Sequence, residues 1–107
     1  MATVNLYVGF NDKDIKKQVY SDEVLLNTIK DIMKDFYECY TFTQCNGVFK
    51  HDDGTVVIEK SVKITLLFES KNDINTEHLS LCIRTLRDGL NQECVAMECV
   101  ESIVAFV

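Results

Sequence analysis

Apolar and polar residues alternate along much of the chain, and this period-two pattern predicts β-strands. The first strand is expected over residues 3–10, where every second residue is apolar. The longest alternating region covers residues 40–70 and is broken by an Asp-Gly turn signal at residues 52–54, which indicates a β-hairpin. Asn46-Gly47 also interrupts this region. Because apolar residues resume after it, we expect a β-bulge there rather than the turn.

Apolar residues recur at helical spacing in a segment after the first strand. We expect this first helix to begin at Ser21, a residue type that caps helix N-termini well, and to run to about Cys39. Residues 11–20 connect the strand to the helix and are rich in charged side chains. This connection is long for its place in the fold, and such loops either carry function or are simply solvated.

A second helix follows the hairpin, with Asn75 or Thr76 as its cap and an end near Asn91. A last core strand is expected over residues 93–99. Residues 100–107 extend it as an apolar tail that would pair with this sheet or with a neighbouring subunit.

The predicted element order is β-α-β-β-α-β, which is typical of a ferredoxin-like α+β fold in one domain over residues 1–107. In that fold an antiparallel sheet carries both helices on one face. The alternation leaves five residues on the other face, a set too mixed for a core: Asn5, Tyr7, Lys63, Thr65 and Leu67. We expect two copies of the chain to pair through this face.

Composition excludes several classes of function. The net charge of −6 argues against DNA or RNA binding, which depends on phosphate neutralisation. No apolar run is long enough to span a membrane, and the N-terminus lacks a signal-peptide pattern, so we expect a cytoplasmic protein. The five cysteines include no C-x-x-C pair and are expected to be free thiols. His51 and His78 are not spaced for zinc, and no metal or cofactor is expected.

Motifs for nucleophilic catalysis and phosphate binding are missing from the sequence: there is no G-x-S-x-G and no glycine-rich loop. Cys45 and His51 could approach each other across the hairpin, but a catalytic pair is disfavoured. Two pairs of aspartates could bind a divalent cation, although the second pair more simply builds the hairpin turn: Asp12 with Asp14, and Asp52 with Asp53.

One group of polar residues is a stronger candidate for a functional site than the residues above. At about 100° per residue, Arg84, Arg87 and Asn91 fall on one flank of the second helix. Two guanidiniums and an amide there could bind a phosphate or a nucleobase, whereas a solvated helix face is the simpler alternative. A second basic cluster lies in the connection before the first helix and comprises Lys13, Lys16 and Lys17.

Four segments together resemble a known pattern: LYVGF, NDKDIKKQ, CNGVFKHDDGTVVIEKSVKITLLF and LNQECVAM. In this order they are similar to a bacterial domain family of unknown function and, more closely, to the phage type-1 Thoeris anti-defence proteins. The resemblance covers about residues 4–97. It implies a non-enzymatic phage protein in the host cytoplasm. Such a protein sequesters a cyclic nucleotide immune messenger of the glycocyclic ADP-ribose type, or a cyclic di- or trinucleotide, without cleaving it.

The resemblance also implies partners and site residues. Family members form homodimers that can build homohexamers. By the match, the ligand-binding residues would be Asp14, Lys17, Gln18 and Asn91, and Phe10 would stack on a base at the end of the first strand. The family uses arginines in a longer C-terminal segment, and this chain has no arginine after Arg87. Either Arg84 and Arg87 replace them, or one ligand site is missing.

Two alternatives stay open. The chain could be a homo-oligomeric domain of the bacterial family that binds or regulates through an unrelated small ligand. It could also be an enzyme on the same fold, such as a small hydrolase or a cyclising enzyme.

Overall fold

The computed structural model describes residues 1–50 and 52–101. Four strands form one antiparallel sheet in the order β2-β3-β1-β4, and two helices pack on it. This confirms the predicted ferredoxin-like α+β architecture. The elements are β1 (Ala2–Gly9), α1 (Asp22–Met33), β2 (Thr41–Lys50), β3 (Val56–Phe68), a short 3-10 turn (Lys71–Asp73), α2 (Thr76–Gly89) and β4 (Ala96–Glu101).

The core lies between the helices and one face of the two central strands. Alternate residues of β1 and β3 point into it and are at most 1% exposed: Val4, Leu6, Val8, Val62, Ile64 and Leu66. The helices bury one stripe each against them, formed by Leu25, Ile29 and Met33 on α1 and by Leu79, Cys82 and Leu86 on α2. The alternation therefore assigns one sheet face to the core and the other to the surroundings.

Both helices begin where the sequence predicts. The Ser21 hydroxyl accepts a hydrogen bond from the backbone N–H of Val24 at 3.2 Å. The Asn75 side chain accepts one from the backbone N–H of His78 at 3.0 Å. These caps satisfy donors that a helix N-terminus would otherwise leave unpaired.

The first helix ends earlier than predicted, whereas the second ends at Gly89, which agrees with the predicted end near Asn91. After α1 ends at Met33, the backbone N–H groups of Phe36 and Tyr37 both donate to the Met33 carbonyl, so the chain turns away well before Cys39. After α2 ends, Asn91 has a positive φ of 50°. Asn91 is therefore not part of a helix flank, and the helical spacing that grouped it with the two arginines does not apply to it.

The β2–β3 hairpin is regular where a bulge was predicted. Asn46 pairs with Lys60 and Gly47 with Glu59 in an unbroken register. A Cβ at Gly47 would lie 3.2 Å from the Ser61 hydroxyl, so a small residue serves close cross-strand packing here rather than a bulge. The predicted turn is confirmed, with Gly54 at a φ of 90°.

The last strand differs from its prediction. β4 begins three residues later than expected and is an edge strand whose six residues are all exposed, so it is not a core strand. It pairs only with β1 within the described residues. The predicted extension and apolar tail lie outside the described residues from position 102 onward. No helix of the described chain has the length and apolar content needed to cross a membrane.

We call the sheet surface opposite the helices the open face. The register confirms that it carries the five residues that the alternation assigned to it: Asn5, Tyr7, Lys63, Thr65 and Leu67. Pairing of this face with a second copy of the chain stays a prediction.

Candidate functional site

The junction between residues 11–18 and the end of α2 contains several of the residues predicted to bind a ligand. The Asn91 amide donates to Asp12 Oδ2 at 2.8 Å and to Asp14 Oδ2 at 2.9 Å. The other Asp12 oxygen accepts the backbone N–H groups of Asp14 and Ile15. These hydrogen bonds lower the pKa of Asp12, and the bond from Asn91 makes the largest contribution. The polar side chains here hold the loop against the helix end.

Gln18 and Lys17 lie at the base of the same loop. Gln18 Nε2 donates to the carbonyl of Tyr20 at 2.8 Å and to Asp22 Oδ1 at 2.6 Å. The hydrogen bond from Gln18 to Asp22 and a second one from Lys60 Nζ lower the pKa of Asp22. The Lys17 side chain is exposed, while its backbone carbonyl accepts the N–H of Asp12. A ligand role for Gln18 would therefore compete with bonds that it already makes.

Phe10 is a core residue, only 3% exposed. It lies at the floor of a cleft of about 360 Å³ that Asn91 also lines, and the rim of this cleft is apolar: Val19, Tyr20 and Val24. We call this the loop cleft. The structure thus brings Phe10 and Asn91 to one cavity, and Asp14 contacts Asn91 beside it.

The two arginines lie elsewhere on α2 and do not line the loop cleft. Arg87 Nε donates to the neighbouring Asp88 at 3.0 Å, and Arg84 Nε donates to the Ser80 carbonyl at 3.4 Å. Arg84 is exposed, and the Arg87 side chain is 41% exposed. The ligand-binding roles of these residues stay predictions.

A chain of hydrogen bonds crosses three strands of the open face. Thr65 Oγ1 donates to Asn5 Oδ1 at 2.8 Å, and Asn5 Nδ2 donates to Glu98 Oε1 at 3.0 Å. The Tyr7 hydroxyl donates to the same Glu98 oxygen at 3.3 Å. Desolvation of the phenol and the adjacent Glu98 carboxylate raise the pKa of Tyr7 above its ordinary value of 10.0, so the phenol stays protonated at neutral pH.

Glu59 is a buried carboxylate at the other end of this face, only 8% exposed. One of its oxygens accepts the backbone N–H of Asn11 at 2.9 Å. The carboxylate lies directly over Gly9, where any Cβ would come within 2.4–2.8 Å of its atoms. Gly9 therefore provides the space that Glu59 occupies.

The Glu59 carboxylate lines a cleft of about 190 Å³, which we call the face cleft; its other walls include Tyr7, Gly9, Gly47, Ser61 and Gln92. Gln92 donates to the backbone carbonyls of Asn11 and Leu90 and so fixes the wall. A carboxylate held in such a cleft can attract a cation or accept a proton. Within residues 1–50 and 52–101, no three His, Cys, Asp or Glu side chains are grouped as metal ligands would be.

Sequence reasoning did not identify Glu59, Ser61 or Glu98 as site residues. The alternation contained a signal for two of them. Counting back from Lys63 by twos places Ser61 and Glu59 on the open face. For Glu98 there was no such signal, because its position depends on the register of β4 against β1.

No protein-family model matches this chain, and no curated protein matches it. Several solved structures match this chain. A phage SAM lyase in complex with S-methyl-5'-thioadenosine matches with a TM-score of 0.70 and 27% identity, covering 94% of this chain and 80% of the lyase. A phage SAM lyase in the apo state matches with a TM-score of 0.66 and 26% identity, covering 92% and 78%. A DUF3240 family protein from Shewanella baltica matches with a TM-score of 0.48 and 8% identity, covering 99% and 94%.

The expectation that this chain is not an enzyme is wrong, because two of these structures, at 26% and 27% identity, are those of a lyase. The missing nucleophile motif did not exclude catalysis, since a lyase can break a bond without a side-chain nucleophile. The likeness to a phage protein agrees with the phage origin that the resemblance implied. The Thoeris assignment and the cyclic nucleotide ligand have no support from these comparisons. Over 94% of its length, this chain is similar in fold and sequence to a phage SAM lyase.

Proposed function

We propose that this protein is a lyase that cleaves S-adenosylmethionine (SAM) and releases S-methyl-5'-thioadenosine at the face cleft. One observation carries the proposal: a buried glutamate, Glu59, is held over a glycine in a cleft of the open face. The similarity to a SAM lyase over nearly the whole chain supports the assignment of the substrate.

Charge complementarity favours this substrate. SAM carries a positive sulfonium and a positive ammonium, and the open face presents two carboxylates, Glu59 and Glu98, on either side of Tyr7. A carboxylate in a partly desolvated cleft attracts a cation more strongly than one in bulk water. The Tyr7 ring, 37% exposed, adds an aromatic surface on which a sulfonium can lie.

The chemistry requires little of the protein beyond binding and orientation. When the bond between the sulfur and the γ-carbon breaks, both electrons stay on the sulfur, which becomes a neutral thioether and needs no proton. The γ-carbon then bonds to the substrate's own carboxylate, giving a lactone, or a β-proton leaves to a base, giving an alkene. In either route Glu59 lies beside the sulfonium, and in the second it accepts the proton.

The test is direct. Purified protein is incubated with SAM, and S-methyl-5'-thioadenosine is measured by liquid chromatography and mass spectrometry. Glu59→Gln keeps the size of the side chain and removes its charge, so we expect kcat/KM to fall about 100-fold. Glu77→Gln, at an exposed site in the first turn of α2, is the matched control and should leave turnover unchanged.

Thermal unfolding of each variant confirms that the protein stays folded. Absence of S-methyl-5'-thioadenosine, or an unchanged rate in Glu59→Gln, contradicts the proposal. The product that accompanies S-methyl-5'-thioadenosine, lactone or alkene, decides between the two routes.

The cyclic ADP-ribose ligand that the resemblance implies shares its adenosine part with SAM. It therefore belongs in the same assay as a competitor. If cyclic ADP-ribose still inhibits Asn91→Gly but no longer inhibits Glu59→Gln, it binds in the face cleft. If it still inhibits Glu59→Gln but no longer inhibits Asn91→Gly, it binds in the loop cleft.

A further inference from the structure

Lys63 is a cation in the middle of the open face. It lies directly opposite Tyr7 on β1 and opposite Thr43 on β2, and it is partly buried. No carboxylate within residues 1–50 and 52–101 forms an ion pair with its ammonium. Other lysines that are held at the edges of the fold do have acidic partners: Lys16 with Asp53, Lys60 with Asp22 and Lys71 with Glu101.

Glu98 lies on the other side of Tyr7, on β4. Its two hydrogen bonds, from Asn5 and Tyr7, both end on Oε1. No donor in the described part of the chain reaches Oε2. These two bonds orient the carboxylate without consuming its second oxygen, which is an arrangement suited to receiving an ammonium group.

The spacing relates this charged pair to Glu59. Lys63 is four residues from Glu59 on the same strand and on the same face, about 13 Å between Cα atoms at 3.3 Å per residue. Both side chains are long enough to close much of that gap. Three carbons join the sulfonium of SAM to its carboxylate, so these two groups of one SAM molecule are closer together than the two Cα atoms.

We propose that Lys63 binds the α-carboxylate of SAM and Glu98 binds its α-ammonium, so that these two residues select ligands that carry a complete amino-acid group. This inference rests on the proposed function and names the part of the substrate that each charge recognises. The sulfonium then remains for Glu59 and the Tyr7 ring to bind. Tyr7 is the positioning residue, because its hydroxyl holds the Glu98 carboxylate in place.

Two SAM-related probes separate these roles. S-Adenosylhomocysteine keeps the amino-acid group and lacks the sulfonium charge. Decarboxylated SAM keeps the sulfonium and the amine and lacks the carboxylate. Binding of both is measured by calorimetry, so the comparison does not depend on turnover.

Lys63→Met keeps an apolar stem of similar length and removes the charge. We expect it to weaken S-adenosylhomocysteine binding about tenfold and to leave decarboxylated SAM binding unchanged. Lys63→Arg should restore most of the loss, because it restores the charge. Lys34→Met, on the exposed surface after α1, is the matched control and should change neither affinity.

Glu98→Gln should weaken both probes, since both keep the amine. Equal weakening of both probes by Lys63→Met, or no weakening of either, would overturn the inference while SAM cleavage by the unaltered protein still supports the proposed function. If the unaltered protein neither cleaves SAM nor binds S-adenosylhomocysteine, the proposed function fails and the inference fails with it.

Discussion

The junction between residues 11–18 and the end of α2, which we call the loop junction, and the open face are both rich in polar residues, but they use these residues differently. At the junction, the Asn91 amide donates hydrogen bonds to Asp12 and Asp14. The polar residues that the sequence indicates as ligand-binding candidates therefore already have partners inside the molecule. On the open face, Lys63 has no acidic partner among the described residues, and Glu98 is oriented through one oxygen only. A polar cluster is a better candidate for ligand binding when its charges are oriented but not neutralised.

The largest expected effect tests the open face. In Gly9→Ala, the new Cβ would lie within 2.4–2.8 Å of the Glu59 carboxylate, and the carboxylate must move because it is the flexible end of its side chain. We expect kcat/KM for SAM to fall about 100-fold, a loss of about 2.7 kcal/mol of transition-state stabilisation, with the fold retained. Release of S-methyl-5'-thioadenosine measures this.

Gly54→Ala is the control for that variant. Gly54 has a φ of 90°, and no atom lies within 4 Å of where a Cβ would be, so alanine there costs about 1 kcal/mol in the free energy of unfolding through backbone strain alone. Activity should not change. If Gly9→Ala keeps full activity, the position of Glu59 over Gly9 has no role in catalysis.

The second effect tests the loop junction. Asn91→Ala removes two hydrogen bonds to carboxylates. It also places alanine at a φ of 50°, a backbone conformation that alanine tolerates less well than asparagine does. We expect the free energy of unfolding to fall by about 2 kcal/mol in urea denaturation, with SAM cleavage within about twofold of the unaltered protein. Asn91→Gly relieves the backbone and should lose about half as much. If Asn91→Ala instead lost SAM cleavage and kept its full stability, the junction would be a ligand site.

A smaller effect is expected on the stability of the folded protein at acidic pH. The Asn91 amide and two backbone N–H groups hold the pKa of Asp12 below its ordinary value of 3.8. A lowered pKa stabilises the folded state above pH 3.8, and this contribution is lost as the pH falls through the lower, folded-state pKa. The stability advantage of the unaltered protein over Asp12→Asn should therefore shrink from about pH 5 to about pH 3. An advantage that is constant over this range would show that ionised Asp12 does not stabilise the junction.

The smallest effect is expected from Arg84→Ala combined with Arg87→Ala. Arg84 is exposed, and Arg87 pairs with its chain neighbour Asp88 at the surface, an interaction that solvent largely screens. Stability should be unchanged and SAM cleavage within about twofold of the unaltered protein. The sequence alone predicts loss of nucleotide binding in this variant, so calorimetry with cyclic ADP-ribose decides whether these arginines form a separate site.

Local patterns were sufficient for most of the fold. Alternation identified the strands around Leu6 and Ile64, and side-chain caps identified the starts of both helices, because these signals lie within a few residues of the structure that they determine. The bulge at Asn46-Gly47 was wrong because pairing along the whole of β3 overrides a local turn propensity. The bounds of β4 were wrong because an edge strand with exposed residues carries no burial pattern.

The candidate site was less predictable, for a physical reason. Glu59 and Gly9 are fifty residues apart, and their contact exists only because β1 and β3 are neighbours with a fixed register. Glu98 reaches Tyr7 only across another pair of strands. Motif reading favours residues close together in the chain, such as Asp12 and Asp14, and those residues prove to stabilise a loop.

The order of the strands has a consequence for dynamics. Tyr7 and Lys63 lie on β1 and β3, each of which has a paired strand on both sides. Amide protons in such central strands exchange with solvent mainly through global unfolding, whereas those of residues 11–18 can exchange through local opening. Deuterium uptake should therefore be slow at the open face and fast in the loop. The part of the candidate site on β1 and β3 should therefore keep its geometry for as long as the protein is folded, even when the loop opens locally.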